Sequence, residues 1–543
     1  MRHTLLFQVL LLCCVSGSVA VAEHHCISDE IENKVGPRTT AVVLELPTRG
    51  GGMMRALTAS APEWTPIRFQ FFTEDLKEPS KHCTAEKQFR PDFIGGTLEC
   101  NKRDILTKEK RSIIILNFLL PRAFGMHTDR LLVKPLTGRV IVPRYSSGVC
   151  AQFTIPSSHH TEGVFGADMY LYVSAGPTHG STLAWATTCL KLPDGRPVVG
   201  MVNYGPRSVT NSEHSVRVSA HEVAHALGFS VWLLNERNML QEVLNVRGKA
   251  KVLQVSSSKT VEKTREHFNC VNATGMELED EGREGTALSH WERRNAKDEL
   301  MAGISGIGYY TSLTMAALED TGFYKANWGT EEPMSWGNNS GCALLTEKCL
   351  INGVTKYPEM FCTAETGLFS CTSDRLALGY CTTYLYTAEL PQQYQYFSNL
   401  KLGGSNYTLM DLCPYVQPYS STQCSNGEAS VMHGSRVGPR SKCLKGDGLV
   451  DFMGRIGDVC AEVSCEKGEV SVRYLGDDTW RQSQRAAVLH QLGCSLEERF
   501  CPKYDMWCII FDPLRGGGDV SSLLSVFSLT SVILLVFIFI SMY

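Results

Sequence analysis

From Pro66 onward, short apolar runs alternate with polar punctuation: PIRFQFF, RSIIILNFLL, RLLVKPL, GRVIVP, DMYLYVSA and RPVVGMVNY. Several are of strand length, so this pattern predicts a series of β-strands. The period changes between Ser215 and Phe229, where Val216, Ala220, Val223 and Leu227 recur at helical spacing and Gly228 supplies a stop. Strands therefore lead into one central helix. From about Cys342 the texture shifts again, with thirteen cysteines between Cys342 and Cys508 among Gly, Ser, Tyr and Pro. That is the pattern of a disulfide-stapled, loop-rich domain. It contains no Cys-x-x-Cys pair of the kind a zinc module uses, and no internal repeat is visible.

The ends decide how the cysteines are read. Arg2 and His3 precede an apolar run from Leu5 to Val15, and Ala20-Val21-Ala22 follows, which predicts an export signal over residues 1–22. Nineteen of the 21 cysteines then remain in an oxidising compartment, 18 of them from Cys83 onward. Those 18 can all pair, which leaves Cys26 as the odd one in a segment, residues 23–60, that reads as a propeptide with an exposed PTRGGGMMRAL linker. At the other end Leu523 to Tyr543 is apolar with no basic residue after it, and small residues fill Gly516 to Ser522. This predicts a glycosylphosphatidylinositol attachment signal in preference to a retained helix, and hence a place on the outer face of the plasma membrane. Sequons at Asn272, Asn338 and Asn406 become credible glycosylation sites in an exported chain. The charge balance, 52 Lys plus Arg against 56 Asp plus Glu with no basic block, predicts no nucleic-acid partner.

Candidate chemistry sits in the central helix. In His221-Glu222-Val223-Ala224-His225 the four-residue spacing puts both imidazoles on one face, where they can share a metal. Glu222 lies about a quarter turn away, placed to take a proton from an attacking water and not to bind the metal. Two unconnected core or surface histidines are the bland alternative. A hydrolytic zinc site needs a third ligand. The position three residues past Gly228 that one zincin pattern fills with histidine is Val231. Glu236 or Glu242 would serve in a thermolysin-like site, and the next histidines are His267 and His290.

HEVAHALGFS, SHWERRNAKDELM and YYTSLTMAALEDTGFY together resemble leishmanolysin, the surface metalloprotease family of trypanosomatids; SHHTEG from Ser158 and LAWATTC from Leu183 match more loosely. The resemblance implies an α+β, metzincin-type catalytic domain, a mixed twisted sheet plus the active-site helix, split by an insertion and followed by the cysteine-rich domain. It implies one zinc per chain on His221, His225 and His290, with Glu222 as general base and acid, Met301 as the Met-turn residue and Cys26 as the pro-segment ligand that keeps the precursor latent. His267, His159 and His160 become ordinary surface residues, and Tyr309 and Tyr310 are candidates for oxyanion stabilisation. Protein and peptide substrates are expected to add a strand to a sheet edge near Arg196 to Tyr204. The expected divisions are 61–230 and 231–345 for the catalytic subdomains, 346–515 for the cysteine-rich domain and 516–543 for the anchor signal. The rival readings are an idle surface adhesin of the same fold and a thermolysin-like peptidase.

Overall fold

The structure, a computed structural model, describes residues 26–35, 39–44 and 63–482, apart from short gaps at 181, 283–285, 304–305, 364–367, 406–407, 447–449, 452–453, 456, 467–468 and 477. The expected export signal, the linker, Asn406 and the C-terminal anchor segment lie outside the described residues. Among the described residues no helix is long and apolar enough to cross a membrane.

These residues form two compact units, one of 26–348 with 408–411, the other of 349–405 with 412–482. In the first, helix α1 (Ser28–Lys34) leads to β1 (Thr39–Thr40) and β2 (Val42–Leu44). Strand β3 (Phe69–Phe72) follows, then helix α2 (Leu120–Thr128), β4 (Arg139–Ile141), β5 (Met169–Ser174), β6 (Ala184–Lys191) and β7 (Pro197–Tyr204). The main sheet has the order β1-β6-β7-β5-β3, with only the β6–β7 pairing antiparallel. Every residue of β5 and β7 is buried, which is why MYLYVS and PVVGMVNY read as continuous apolar runs: a strand covered on both faces has no reason to alternate. Helix α3 (Glu213–Ala226) packs across β6 and β7.

Two expectations fail here. The run RSIIILNFLL is helical: a π-wound stretch Glu109–Leu119 passes directly into α2. Ile115, Leu119, Ala123 and His127 lie four apart and are all buried, so the run was the first half of a helical stripe. Pro121 sits at the start of α2, where a missing N–H costs little. The segment Arg196 to Tyr204 is also no sheet edge, because β7 is paired on both sides. The outer side of β6 is where an added strand lies, and β1 lies there, pairing Thr39 with Leu190 and Thr40 with Lys191.

Seven disulfides tie the described residues. Cys83–Cys100, Cys150–Cys189 and Cys270–Cys342 belong to the first unit; Cys349–Cys413, Cys362–Cys381, Cys371–Cys443 and Cys424–Cys460 belong to the second. In the second unit Cys371, Cys424, Cys443 and Cys460 pack with Leu378 and Met432 in one core cluster, where cystines take the place of larger apolar side chains, and Leu444, Ala461, Val463, Val470 and Val472 form another. Cys26 is unpaired and buried.

Candidate active site

Helix α3 starts at an N-cap, Ser212, whose Oγ accepts the Ser215 N–H, and it ends where Gly228 turns the chain at φ +109°. A Cβ on Gly228 would lie 2.2 Å from Leu233 Cδ2, so only glycine fits that turn. The turn carries the Phe229 carbonyl back under the helix, where it accepts the His225 Nδ1–H at 2.7 Å.

The chain then leaves for the insertion and returns 65 residues after His225. A hairpin of β8 (Leu240–Val246) and β9 (Lys249–Val255) is followed by helix α4 (Ser258–Phe268) and by β10 (Met276–Glu277), which pairs with β9. The pairing continues past β10: the Glu279 N–H donates to the His290 carbonyl at 2.9 Å, and the Leu288 N–H to the Glu279 carbonyl at 2.7 Å. His290 is thus delivered on a strand-like segment aligned by the insertion's own sheet.

The three imidazoles converge. Their Nε2 atoms are 3.1 Å apart for His221 and His225, and 3.2 Å for each pair with His290. Each Nδ1 faces a backbone carbonyl: Leu300 for His221 at 2.6 Å, Phe229 for His225 at 2.7 Å, Thr286 for His290 at 2.7 Å. A carbonyl only accepts, so each Nδ1 carries the proton and each Nε2 presents its lone pair. Three lone pairs facing one another cannot satisfy one another, and a cation is what such a set fits. Ligands at about 2.0–2.1 Å in a tetrahedron lie about 3.3–3.4 Å apart, close to the spacing here.

Glu222 is fully buried beside this cluster but not part of it, since the convergent donor atoms are those of Cys26, His221, His225 and His290. Burial pushes its carboxyl up to about 7, against the lowering effects of His221, the Cys26 thiol and the Ala186 backbone. Cys26 Sγ lies 3.4 Å from His225 Nε2 and 3.8 Å from Glu222 Oε2. Around it the N-terminal segment grips the loop that carries His290. Thr286 Oγ1 donates to the Cys26 carbonyl at 2.9 Å, and the Asp29 carboxylate accepts both the Ser289 N–H and the Ser289 hydroxyl. Glu32 accepts the Thr187 hydroxyl of β6 at 2.7 Å, while Ile31, Val35 and Ala41 are buried in the core with Val140, Phe153 and Trp185.

Met301 is fully buried; its carbonyl accepts the N–H of Trp291, the residue after His290, at 2.9 Å, and its own N–H bonds the Glu299 carboxylate. The other candidates lie elsewhere. Glu236 is exposed and paired with Lys191, and Glu242 is exposed on β8 and paired with Lys251, so the thermolysin-like ligand set is not assembled. His267 is not the free surface residue expected: half-buried at the end of α4, it bonds the Trp336 carbonyl at 2.9 Å. His159 bonds the Tyr172 hydroxyl at 2.7 Å and His160 the Val142 carbonyl at 2.8 Å, so these two are half-buried packing groups as well. The Tyr310 hydroxyl is bonded to His127 at 3.0 Å, and both side chains are buried. Asn272 is exposed and Asn338 half-buried. What local sequence does not signal is Asp29, Ser289 and the three carbonyls, because their roles come from tertiary approach.

A mixed sheet, one helix with two histidines and a glutamate, and a third histidine returned to the same point define a metal-dependent peptidase. Residues 24–511 match the leishmanolysin family profile, and the chain belongs to that family. It is 39% identical over 439 residues to a leishmanolysin homolog of Crithidia fasciculata, covering 78% of this chain and 66% of that one. It is 39% identical over 417 residues to leishmanolysin of Leishmania major, covering 74% and 68%. A leishmanolysin-like peptidase of Drosophila melanogaster is 31% identical over 325 residues, 48% of this chain and 47% of that one. The matched segments thus span about two thirds of the length of the first two relatives.

Proposed function

We propose that this chain is a zinc metalloendopeptidase of the cell surface, made as a latent precursor, with one zinc held by His221, His225 and His290. The observation that carries this reading is the triple tether of Nδ1 to carbonyl, which aims three neutral Nε2 atoms at one point. Zinc bound there would act as a Lewis acid on water and on a peptide carbonyl. Glu222, beside the three imidazoles but outside their set of donor atoms, takes a proton from the attacking water on its carboxylate and hands it to the departing amine. Met301 is the Met-turn residue of this reading, buried, with its carbonyl holding the Trp291 N–H. In the precursor Cys26 occupies the position that water needs, and cutting away the pro-segment opens it. Export, the sequons and the apolar C-terminal segment support glycosylation, a lipid anchor on the outer face of the plasma membrane and extracellular protein substrates.

The test is a zinc analysis joined to a peptide-library digest. Glu222→Gln is expected to keep its zinc and lose nearly all hydrolysis, and His290→Ala to lose both. If His290→Ala kept zinc and activity while Glu236→Ala or Glu242→Ala lost them, the ligand assignment would fall. A wild-type protein that binds zinc and cleaves nothing in the library would support the idle adhesin instead.

A further inference from the structure

The Glu299 side chain of the ELM segment does not face the metal site. It is buried, and its two oxygens bind the turn that backs the site to the N-terminus of a helix, α5 (Ser312–Asp320). Oε1 accepts the hydroxyls of Thr311 at 2.8 Å and Thr314 at 2.7 Å and the Thr311 N–H at 3.3 Å; Oε2 accepts the Met301 N–H. Thr311 is the N-cap of α5 and Thr314 lies in its first turn, so the carboxylate sits where the helix dipole favours negative charge.

Leu300 is the only residue between Glu299 and Met301, and its carbonyl holds the His221 Nδ1–H at 2.6 Å. With the residues on both sides bonded to one carboxylate or carrying it, that carbonyl has little freedom to turn. The same anchor reaches the third histidine. Trp291, next to His290, donates its Nε1–H to Thr314 Oγ1 at 2.9 Å and its backbone N–H to the Met301 carbonyl at 2.9 Å. We infer that Glu299 is a positioning residue, holding the Leu300 carbonyl and the Trp291 backbone in register with α5 so that His221 and His290 meet the metal at the angles their ring tethers set. Outer partners of this kind orient ligands that they never touch.

The inference rests on His221 being a metal ligand, and the experiment separates the two claims. In the full chain, Glu299→Gln keeps the shape but turns one acceptor into a donor that faces either the Met301 N–H or the Thr311 N–H. Zinc affinity, measured by chelator competition, is expected to fall by about 10- to 100-fold. At saturating zinc kcat is expected to fall with KM unchanged, and the absorption bands of the cobalt-substituted protein are expected to shift. Thr314→Val is expected to give a smaller loss of the same kind, which Thr314→Ser restores. Should Glu299→Gln not fold, the Thr314 pair decides by the same readouts. A lowered melting temperature with unchanged zinc affinity, kcat and cobalt spectrum would mean that the group is structural only, and the inference would be overturned. If His221→Ala leaves zinc affinity intact, the ligand assignment fails instead.

Discussion

On the proposed latency, a peptide of residues 26–44 added to enzyme freed of this segment is expected to inhibit it, and its variants measure which contacts hold the segment down. Ile31 is 0% exposed and lies in the core with Val140, Phe153 and Trp185. Truncating a buried Ile to Ala costs about 2–5 kcal/mol, and the low end applies where the site can relax around a bound peptide. At about 1.4 kcal/mol per decade, Ile31→Ala should raise the inhibition constant by about 30-fold or more. Cys26→Ser leaves every docking contact in place but replaces a soft ligand 3.4 Å from His225 Nε2 with a hydroxyl, so its constant should rise as well. Asp29→Asn should change less. Its bonds to Ser289 are partly offset by burial, which raises the carboxyl to about 6, so the charged form is docked at a cost. The assay is steady-state hydrolysis of a quenched peptide at several inhibitor concentrations. An Ile31→Ala peptide within threefold of the native one would show that α1 does not dock as described, and an equally potent Cys26→Ser peptide would show that the thiol is not the block.

Three further outcomes are expected. His127 is buried, with Nε2 on the Ala220 carbonyl, and burial lowers its pKa to about 3. The unfolded chain, at about 6.5, binds the extra proton first, so stability present above pH 6.5 is lost as pH falls toward 3, by about 1.4 kcal/mol per unit. Denaturant melts of zinc-loaded protein at pH 7.5 and pH 5 should differ by about 2 kcal/mol less in His127→Gln than in the wild type, and parallel curves would contradict this. Gly228→Ala, forced into a positive φ with its Cβ against Leu233, should lose both zinc and activity through the displaced Phe229 carbonyl, which metal analysis would reveal. Removing the metal with a chelator should lower the melting temperature and abolish hydrolysis; zinc at about 1,000 times its dissociation constant should restore about 4 kcal/mol, in Glu222→Gln but not in His290→Ala.

The active-site helix was legible because its apolar positions keep one period and its end is marked by a glycine; the observed helix, Glu213–Ala226, starts two residues before the expected Ser215 and ends three before Phe229. RSIIILNFLL misled because a short apolar run from a helical stripe cannot be told from a buried strand by periodicity alone. The edge was misplaced because chain position and family resemblance placed it, and neither carries the strand order, in which β7 is paired on both sides. No local pattern distinguished His290 from His267; family resemblance chose between them, and the convergence of the Nε2 atoms supports the choice. Parity singled out Cys26, but Asp29 and Ile31 sit in a segment whose contacts are all distant in sequence, so nothing local marked them.

That the proposed ligands His225 and His290 can stand 65 residues apart follows from how each ring is held. His225 bonds the carbonyl four residues after it and His290 the carbonyl four residues before it, so both rings are oriented within their own turns. What separates those turns need only leave from one and return to the other. The insertion does so within a closed frame: the Val231 N–H donates to Ser289 Oγ at 3.0 Å, pinning its two ends together. Cys270–Cys342 ties its later part to the chain that follows the site. The hairpin of β8 and β9 can therefore vary in length or surface without disturbing the metal angles, as long as β10 still aligns Glu279 with His290. The ring of His221, by contrast, depends on a carbonyl 79 residues away. It is at Leu300, not within the insertion, that the geometry of this site is most exposed to distant change.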